Sequence, residues 1–490
     1  MVQVPQSLEH RRTKGYVTPA VVAEFMIENS QVRKDAKIID PAAGDGAFVQ
    51  ALAGRGYRKV WGIELEEERA TRLRESLSAY SGLSLIAGDA LNPATLGSWS
   101  MGTFDVAIGN PPFSHQRSKI DDERILANYE LGRPKQAVEI LFLERFIQLV
   151  RPSGLVRIIL PMNVFSNTTL QYVRDYILAN LWVEAVVSLP RHTFGGTSAK
   201  TAILFGQKRG KDWNKRADLW HQKRVKLVSI PDQASLCELT KIPIARPEGG
   251  MQVSISEIQD RMDPDYHFAG TRVSNLIDGS KAPFEPLSEL ADIRTGFVKY
   301  GEKTSLIYST VPKKSPDKDK YIRLLKAKNL STYGFRFGQD DFFIRTDEEL
   351  FRPWACVDVG EVMVVRVGAG CVGRAVCVID DRYKGQADDW MLIVTPKRLN
   401  PSFLAFYLNS SIGKAFVQKE AQGTGTLSIS KGKLQKVMVP IIPASEQDEF
   451  ASDVRNMYEA QRLGRPEKAK SIFASLESKL QKLVFKQSKV

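Results

Sequence analysis

Ile38-Ile39-Asp40-Pro41-Ala42-Ala43-Gly44-Asp45-Gly46-Ala47-Phe48 is an apolar run that ends on an acid, turns on two glycines and enters a second apolar pattern. It reads as a strand, a tight turn and a helix. Glycine lacks a Cβ, so the backbone of such a turn can lie close to a ligand at the first crevice of a doubly wound sheet. Working outward, short apolar runs alternate with helical patterns from Lys37 to about Lys208, which predicts an α/β domain whose parallel sheet is covered by helices. Strands are expected at 37–40, 59–64, 83–87, 104–109, 154–161, 183–189 and 201–206. The clearest helix, 136–150, repeats Ile140, Leu141, Leu143, Phe146, Ile147 and Val150 at helical spacing and stops before Pro152.

Three of these strands end in acids. Glu64 closes the strand after Asp40, where a carboxylate can accept both hydroxyls of a ribose. Asp89, in Ala87-Gly88-Asp89-Ala90, stands where it can accept from the amino group of an adenine ring. A single acid after a strand is usually a helix cap; three in succession outline a nucleoside site. Asp45 lies between the glycines, where a pyrophosphate would have to sit, which disfavours a dinucleotide. A sulfonium nucleoside carries no phosphate, and Asp40 can meet the positively charged amino group of its methionine part.

After the fourth strand comes Asn110-Pro111-Pro112-Phe113. An aromatic amine is a poor nucleophile because its lone pair is delocalised into the ring. Two fixed acceptors on its hydrogens favour the more tetrahedral nitrogen that attacks a methyl group. The Asn110 side-chain carbonyl and the Pro111 backbone carbonyl can supply them, the prolines Pro111 and Pro112 lock the backbone, and Phe113 can stack on the base.

These residues resemble the N(6)-adenine DNA methyltransferases. Tyr16-Val17-Thr18-Pro19 ahead of Val21, Val22, Phe25 and Met26 looks like that family's N-terminal cofactor segment, and its position before the other motifs is similar to the gamma group, the Taq-type (Eco57I-like) enzymes. The resemblance covers about residues 15–207. It implies a Rossmann-like class I fold with a seven-stranded mixed sheet over residues 1–210, and S-adenosyl-L-methionine as cofactor, held by Thr18, Asp40, Ala42, Gly44, Gly46, Glu64, Asp89, Ala90 and Asn110. It also implies a catalytic set Asn110, Pro111, Pro112 and Phe113. Phe194, in Thr193-Phe194-Gly195-Gly196-Thr197-Ser198, resembles the second aromatic that stacks on the target. A base in a duplex cannot reach such a pocket, so the adenine has to be flipped out, at roughly a few kcal/mol.

Composition sets the surroundings. The chain has 490 residues, enough for two or three domains, with 43% hydrophobic and 26% charged residues and no apolar run long enough for a membrane span. The start, residues 1–12, has no secretory pattern, so a cytoplasmic location is expected. Cys237, Cys356, Cys371 and Cys377 match neither a zinc ribbon nor a disulfide framework, and the histidines form no metal pair. No metal is expected. A net charge of +13 favours a polyanionic partner, here double-stranded DNA.

Residues 211–285 read as a connecting region holding Trp213, Trp220, the Pro247-Glu248-Gly249-Gly250 turn and the Arg261-Met262-Asp263-Pro264 step. Residues 286–443 look like a target-recognition domain of the type I specificity-subunit kind, α+β in class, from Pro286-Leu287-Ser288-Glu289-Leu290 to Val437-Met438-Val439-Pro440. They include the turn Ala421-Gln422-Gly423-Thr424-Gly425-Thr426-Leu427 and a charged loop at 313–320. Residues 444–490 read as helical and basic, with either a solvated face or a packing or phosphate-contacting one. The expectation is a site-specific modification enzyme of a restriction-modification or phage-defence system, a monomer or homodimer with no nuclease of its own. A protein-glutamine or RNA N-methyltransferase, and a DNA-binding modification subunit that is active only with companion proteins, remain the alternatives.

Overall fold

A computed structural model describes residues 17–97, 101–114, 119–195, 199–210, 223–246, 248–298, 304–311, 317–338, 340–368, 370–421 and 427–485. The chain divides into two compact units, Met1–Phe268 and Ala269–Val490.

Among the described residues of the first unit, nine strands form one sheet: β1 Ile38–Asp40, β2 Val60–Glu64, β3 Leu83–Ala87, β4 Phe104–Gly109, β5 Val150–Pro161, β6 Leu181–Ser188, β7 Thr201–Lys208, β8 Arg224–Ser229 and β9 Met251–Ser254. Their order is β3-β2-β1-β4-β5-β7-β6-β8-β9. β1 to β5 pair in parallel, and β7 runs antiparallel between β5 and β6. Alternating side chains feed two cores. Ile38, Val60 and Val106 join the helices α1 (Ala20–Glu28) and α2 (Ala47–Gly54) through Val22, Phe25, Val49 and Leu52. Ile39, Ile63 and Ala107 join α4 (Val138–Leu149) through Ile140, Leu143 and Phe146, while α3 (Glu67–Ser76) follows β2. Each fully buried apolar side chain contributes about 1.5–3 kcal/mol, so the sheet is held from both faces.

The seven expected strands are all present, with ends shifted by up to a few residues. The reading of 211–285 as a connection is corrected, because β8 and β9 lie in it and extend the sheet. Met262 of the Arg261–Pro264 step is also buried there, its N–H donating to the Phe165 carbonyl over 2.9 Å. The sequence disguises β8 because Lys226 interrupts its apolar residues. Its ammonium is satisfied internally by the Pro243 and Arg246 carbonyls at 2.5 and 3.0 Å, which lets a lysine occupy a buried strand position.

In the second unit an antiparallel sheet is ordered Ala291–Thr295, Met391–Pro396, Val362–Val365, Ala375–Cys377. Its core also takes in Phe403 and Phe406 of the helix Pro401–Asn409. A second four-stranded sheet contains Tyr321–Leu325 and Gly385–Ala387. The chain then folds into the helices Ala444–Arg462 and Pro466–Val484. The basic final helix is a packing helix: Leu476, Leu480 and Val484 repeat every four residues and are buried, and Lys479 pairs with Glu446 at 3.1 Å and with Glu449. No helix among the described residues is long and apolar enough to cross a membrane.

Residues 1–12, Tyr16, Gly196-Thr197-Ser198, Trp213, Trp220, Pro247, residues 313–316 of the charged loop and Gln422–Thr426 lie outside the described residues.

Candidate active site

The turn after β1 is held by its own strand ends. Gly44 and Gly46 have φ of +55° and +88°, left-handed values that favour glycine. The Gly44 N–H donates to Glu64 Oε2 over 2.8 Å, and the Glu66 N–H donates to the other Glu64 oxygen over 3.0 Å. Glu64 is thus anchored at the end of β2 while it tethers the loop of β1. Asp89 accepts from the Leu91 N–H at 3.0 Å, shaping the loop after β3.

Thr18, Ala42, Gly44, Glu64, Asp89, Ala90, Asn110, Pro111, Pro112 and Phe113 line one cavity of about 1060 Å³, open mouth included. Four parallel strands therefore deliver their C-terminal loops to a single space. Asp40, Gly46 and Phe194 do not line it. Gly46 caps α2, where a Cβ would meet the Leu73 side chain at 2.3 Å, so its role is in the turn. Phe194 is buried in the same apolar cluster as Phe113.

Asp40 stands one residue from Pro41 and against Gly109, whose Cβ, if present, would meet Asp40 Oδ1 at 2.5 Å. That oxygen accepts from the Ala42 N–H at 3.0 Å, while Oδ2 is buried with no hydrogen-bond partner. Burial, and secondarily the charge of Glu64, push the carboxyl up to about 7 against the pull of the Ala42 amide.

Asn110 shows the other unfinished bond. Its Nδ2 donates to Thr18 Oγ1 over 3.1 Å, which fixes the amide and leaves Oδ1 as an acceptor that is buried and without a partner. Buried polar atoms are nearly always satisfied, so the open acceptor of Asn110, which lines the cavity, marks a place for an incoming donor. At the far end of the motif, the Ser114 N–H and hydroxyl donate to Glu139 Oε2 and Oε1 at 2.8 and 2.9 Å.

Sequence reasoning missed the polar side of α4. Glu139 and Arg145 are buried on a helix whose apolar repeat alone is visible in the sequence. Arg145 Nη2 and the Tyr129 hydroxyl both donate to the Leu91 carbonyl, at 3.0 and 2.8 Å, steadying the loop that carries Asp89 and Ala90. Val138 and Phe142 of the same helix line the cavity and add apolar wall. The charged lining residues are Asp45, Glu64, Glu66 and Asp89 against Arg69, which pairs with Glu66 at 3.2 Å. Such a site repels a pyrophosphate and suits a nucleoside that carries positive charge.

The strand order and these loops define a class I S-adenosylmethionine-dependent methyltransferase fold. Over residues 7–235 the chain matches the family model described as N-6 DNA Methylase. It is 23% identical over 193 residues to the modification methylase CviBIII of Paramecium bursaria Chlorella virus NC1A, covering 39% of this chain and 48% of that one. It is 24% identical over 243 residues to the type II methyltransferase M.TthHB8I of Thermus thermophilus, covering 45% and 53%. The chain thus spans about half the length of these curated relatives. Among solved structures, that of the type IIG restriction endonuclease BpuSI shares the fold, with a TM-score of 0.50 and 17% identity over 91% of this chain and 62% of that one. Class I methyltransferases take S-adenosylmethionine as methyl donor.

Proposed function

We propose that this chain is a site-specific DNA methyltransferase of the gamma group that methylates the N(6) amino group of adenine in duplex DNA, as the modification enzyme of a restriction-modification or phage-defence system. The observation that carries the reading is the open acceptor of Asn110, fixed by Thr18 and followed by two prolines, at the wall of the cavity that holds the acids Glu64 and Asp89. The names of the matched methylases support it.

Bound S-adenosylmethionine supplies an electrophilic methyl group. Glu64 would accept from its ribose hydroxyls and Asp89 from its adenine amino group, and Asp40, buried beside the lining residue Pro41, would supply the negative charge that its methionine amino group favours. Asn110 Oδ1 and the Pro111 carbonyl accept the two hydrogens of the target amine, which holds the nitrogen in the shape that attacks. No reorganisation is needed at that moment because the prolines fix the carbonyl beforehand. Phe113 stacks on the extruded adenine, offsetting about 1–3 kcal/mol of the cost of flipping it. Phe194 shares the apolar cluster of Phe113 but does not line the cavity, so it is not assigned the same role. Residues 286–443 serve as the target-recognition domain, with Lys and Arg on phosphates and other side chains on base edges.

Expression in a host that lacks adenine methylation, followed by single-molecule sequencing, tests this. A methylated adenine in one short sequence context is expected. Unmodified DNA together with methylated RNA or release factor would transfer the site to the alternative substrates.

A further inference from the structure

We propose that Glu139 is a positioning residue for the Asn110–Phe113 loop, an inference that rests on the methyl-transfer reading above and deepens it. Pro111 and Pro112 have no N–H, so the middle of this loop cannot be tied down through its own amides. The restraint has to come from its flanks. At one flank Thr18 takes the Asn110 amide. At the other, Ser114 gives both its N–H and its hydroxyl to Glu139, at 2.8 and 2.9 Å.

Glu139 is the second residue of α4 and is 3% exposed. A carboxylate in the first turn of a helix commonly caps that helix, and the positive end of the macrodipole favours its charge there. This one reaches out instead to a residue 25 positions earlier in the chain. A buried carboxylate is costly unless its oxygens accept hydrogen bonds, so the two-pronged grip on Ser114 and the burial of Glu139 belong together. Its neighbour Val138 lines the cavity, so the grip joins the loop to the same helix that forms the wall. Glu139 touches no reacting atom. It sets where the Pro111 carbonyl and the Phe113 ring stand, and a displacement of about 1 Å at such groups can cost about 100-fold in rate.

The test uses the full chain, labelled cofactor and duplex genomic DNA from a host lacking adenine methylation, with cofactor affinity measured by calorimetry. Glu139→Ala is expected to lower kcat by about 10- to 100-fold with cofactor Kd within about twofold of wild type. Glu139→Gln can keep both bonds, its oxygen accepting from the Ser114 N–H and its amide donating to the hydroxyl, and should stay within about threefold. Its pH profile should match the wild type.

Wild-type kcat in Glu139→Ala overturns the proposal. So does a Glu139→Gln variant as slow as Glu139→Ala with cofactor binding intact, because then charge rather than position matters. If Glu139→Ala does not fold, a cycle of Glu139→Met, which fills the space but accepts no hydrogen bond, with Ser114→Ala and the double variant decides. A double variant well short of the product of the two single effects supports the grip, and a fully multiplicative effect refutes it. A wild type that does not methylate this DNA overturns both readings, whereas an active wild type, inactivated by Asn110→Ala but indifferent to Glu139, overturns this one alone.

Discussion

Asn110 donates its amide hydrogen to the hydroxyl of Thr18 over 3.1 Å, linking the segment ahead of α1 to the end of β4 across 92 residues of chain. The bond decides which way the amide faces, since the nitrogen is engaged and the oxygen is left open. Thr18→Val keeps the shape but removes the acceptor, so the amide can turn over and present nitrogen where oxygen is needed. A fall in kcat of about 10-fold is expected, in line with one misoriented hydrogen bond, with Thr18→Ser near wild type. Steady-state methylation of duplex DNA checks it.

Asn110→Ala removes the acceptor itself. Loss of a single preorganised group of this kind costs about 100- to 1000-fold in kcat. The fold should change little, because Oδ1 satisfies nothing in the protein and the one bond lost, from Nδ2 to Thr18, contributes about 1 kcal/mol. Paired measurements of methyl transfer and thermal unfolding are expected to separate, with the rate collapsing and the melting temperature holding.

Glu64→Ala attacks the cofactor side. Two backbone amides lose a charged acceptor, each such bond contributing about 1.5–3 kcal/mol, and the Gly44 turn loses its tether. Affinity for S-adenosylmethionine should drop by about 10- to 100-fold in calorimetry. Unchanged affinity would remove Glu64 from the cofactor site.

Asp40 gives a pH signature. Its folded carboxyl holds a proton up to about 7, against 3.8 for the free group. Between these values the folded state binds more protons than the unfolded one, so stability falls as pH rises through the window and the loss is complete above about 7. Asp40→Asn should flatten this drift and raise the melting temperature at neutral pH. Cofactor protection of the wild type should grow from pH 6 to 8, since an ionised Asp40 is the form that attracts a positive amino group. Equal thermal shifts at both values would count against that contact.

Much of the first unit is legible in the sequence because its strands are buried on both faces and read as near-continuous apolar runs, such as Ala202-Ile203-Leu204-Phe205 of β7. The two acids Glu64 and Asp89 are legible because a strand end fixes where a side chain falls. β8 was hidden because Lys226 looks like surface until its carbonyl partners are known. Glu139 and Arg145 were hidden for the same reason: a charge on a helix reads as solvent-facing, and only the tertiary fold brings Ser114 and Leu91 to meet them. Phe194 was legible as an aromatic but not as a buried one, since no local pattern distinguishes a ring awaiting a base from a ring in a core.

The grip of α4 on Ser114 and on the Leu91 carbonyl has an evolutionary consequence. Positions 139 and 145 are separated by about 9 Å of helix, at 1.5 Å per residue, which fixes the spacing of the two anchor points along α4. Substitutions accepted among descendants of this sequence are therefore expected to keep the two anchors in step, since a change that shifts α4 along its axis moves the Ser114 end and the Leu91 end together.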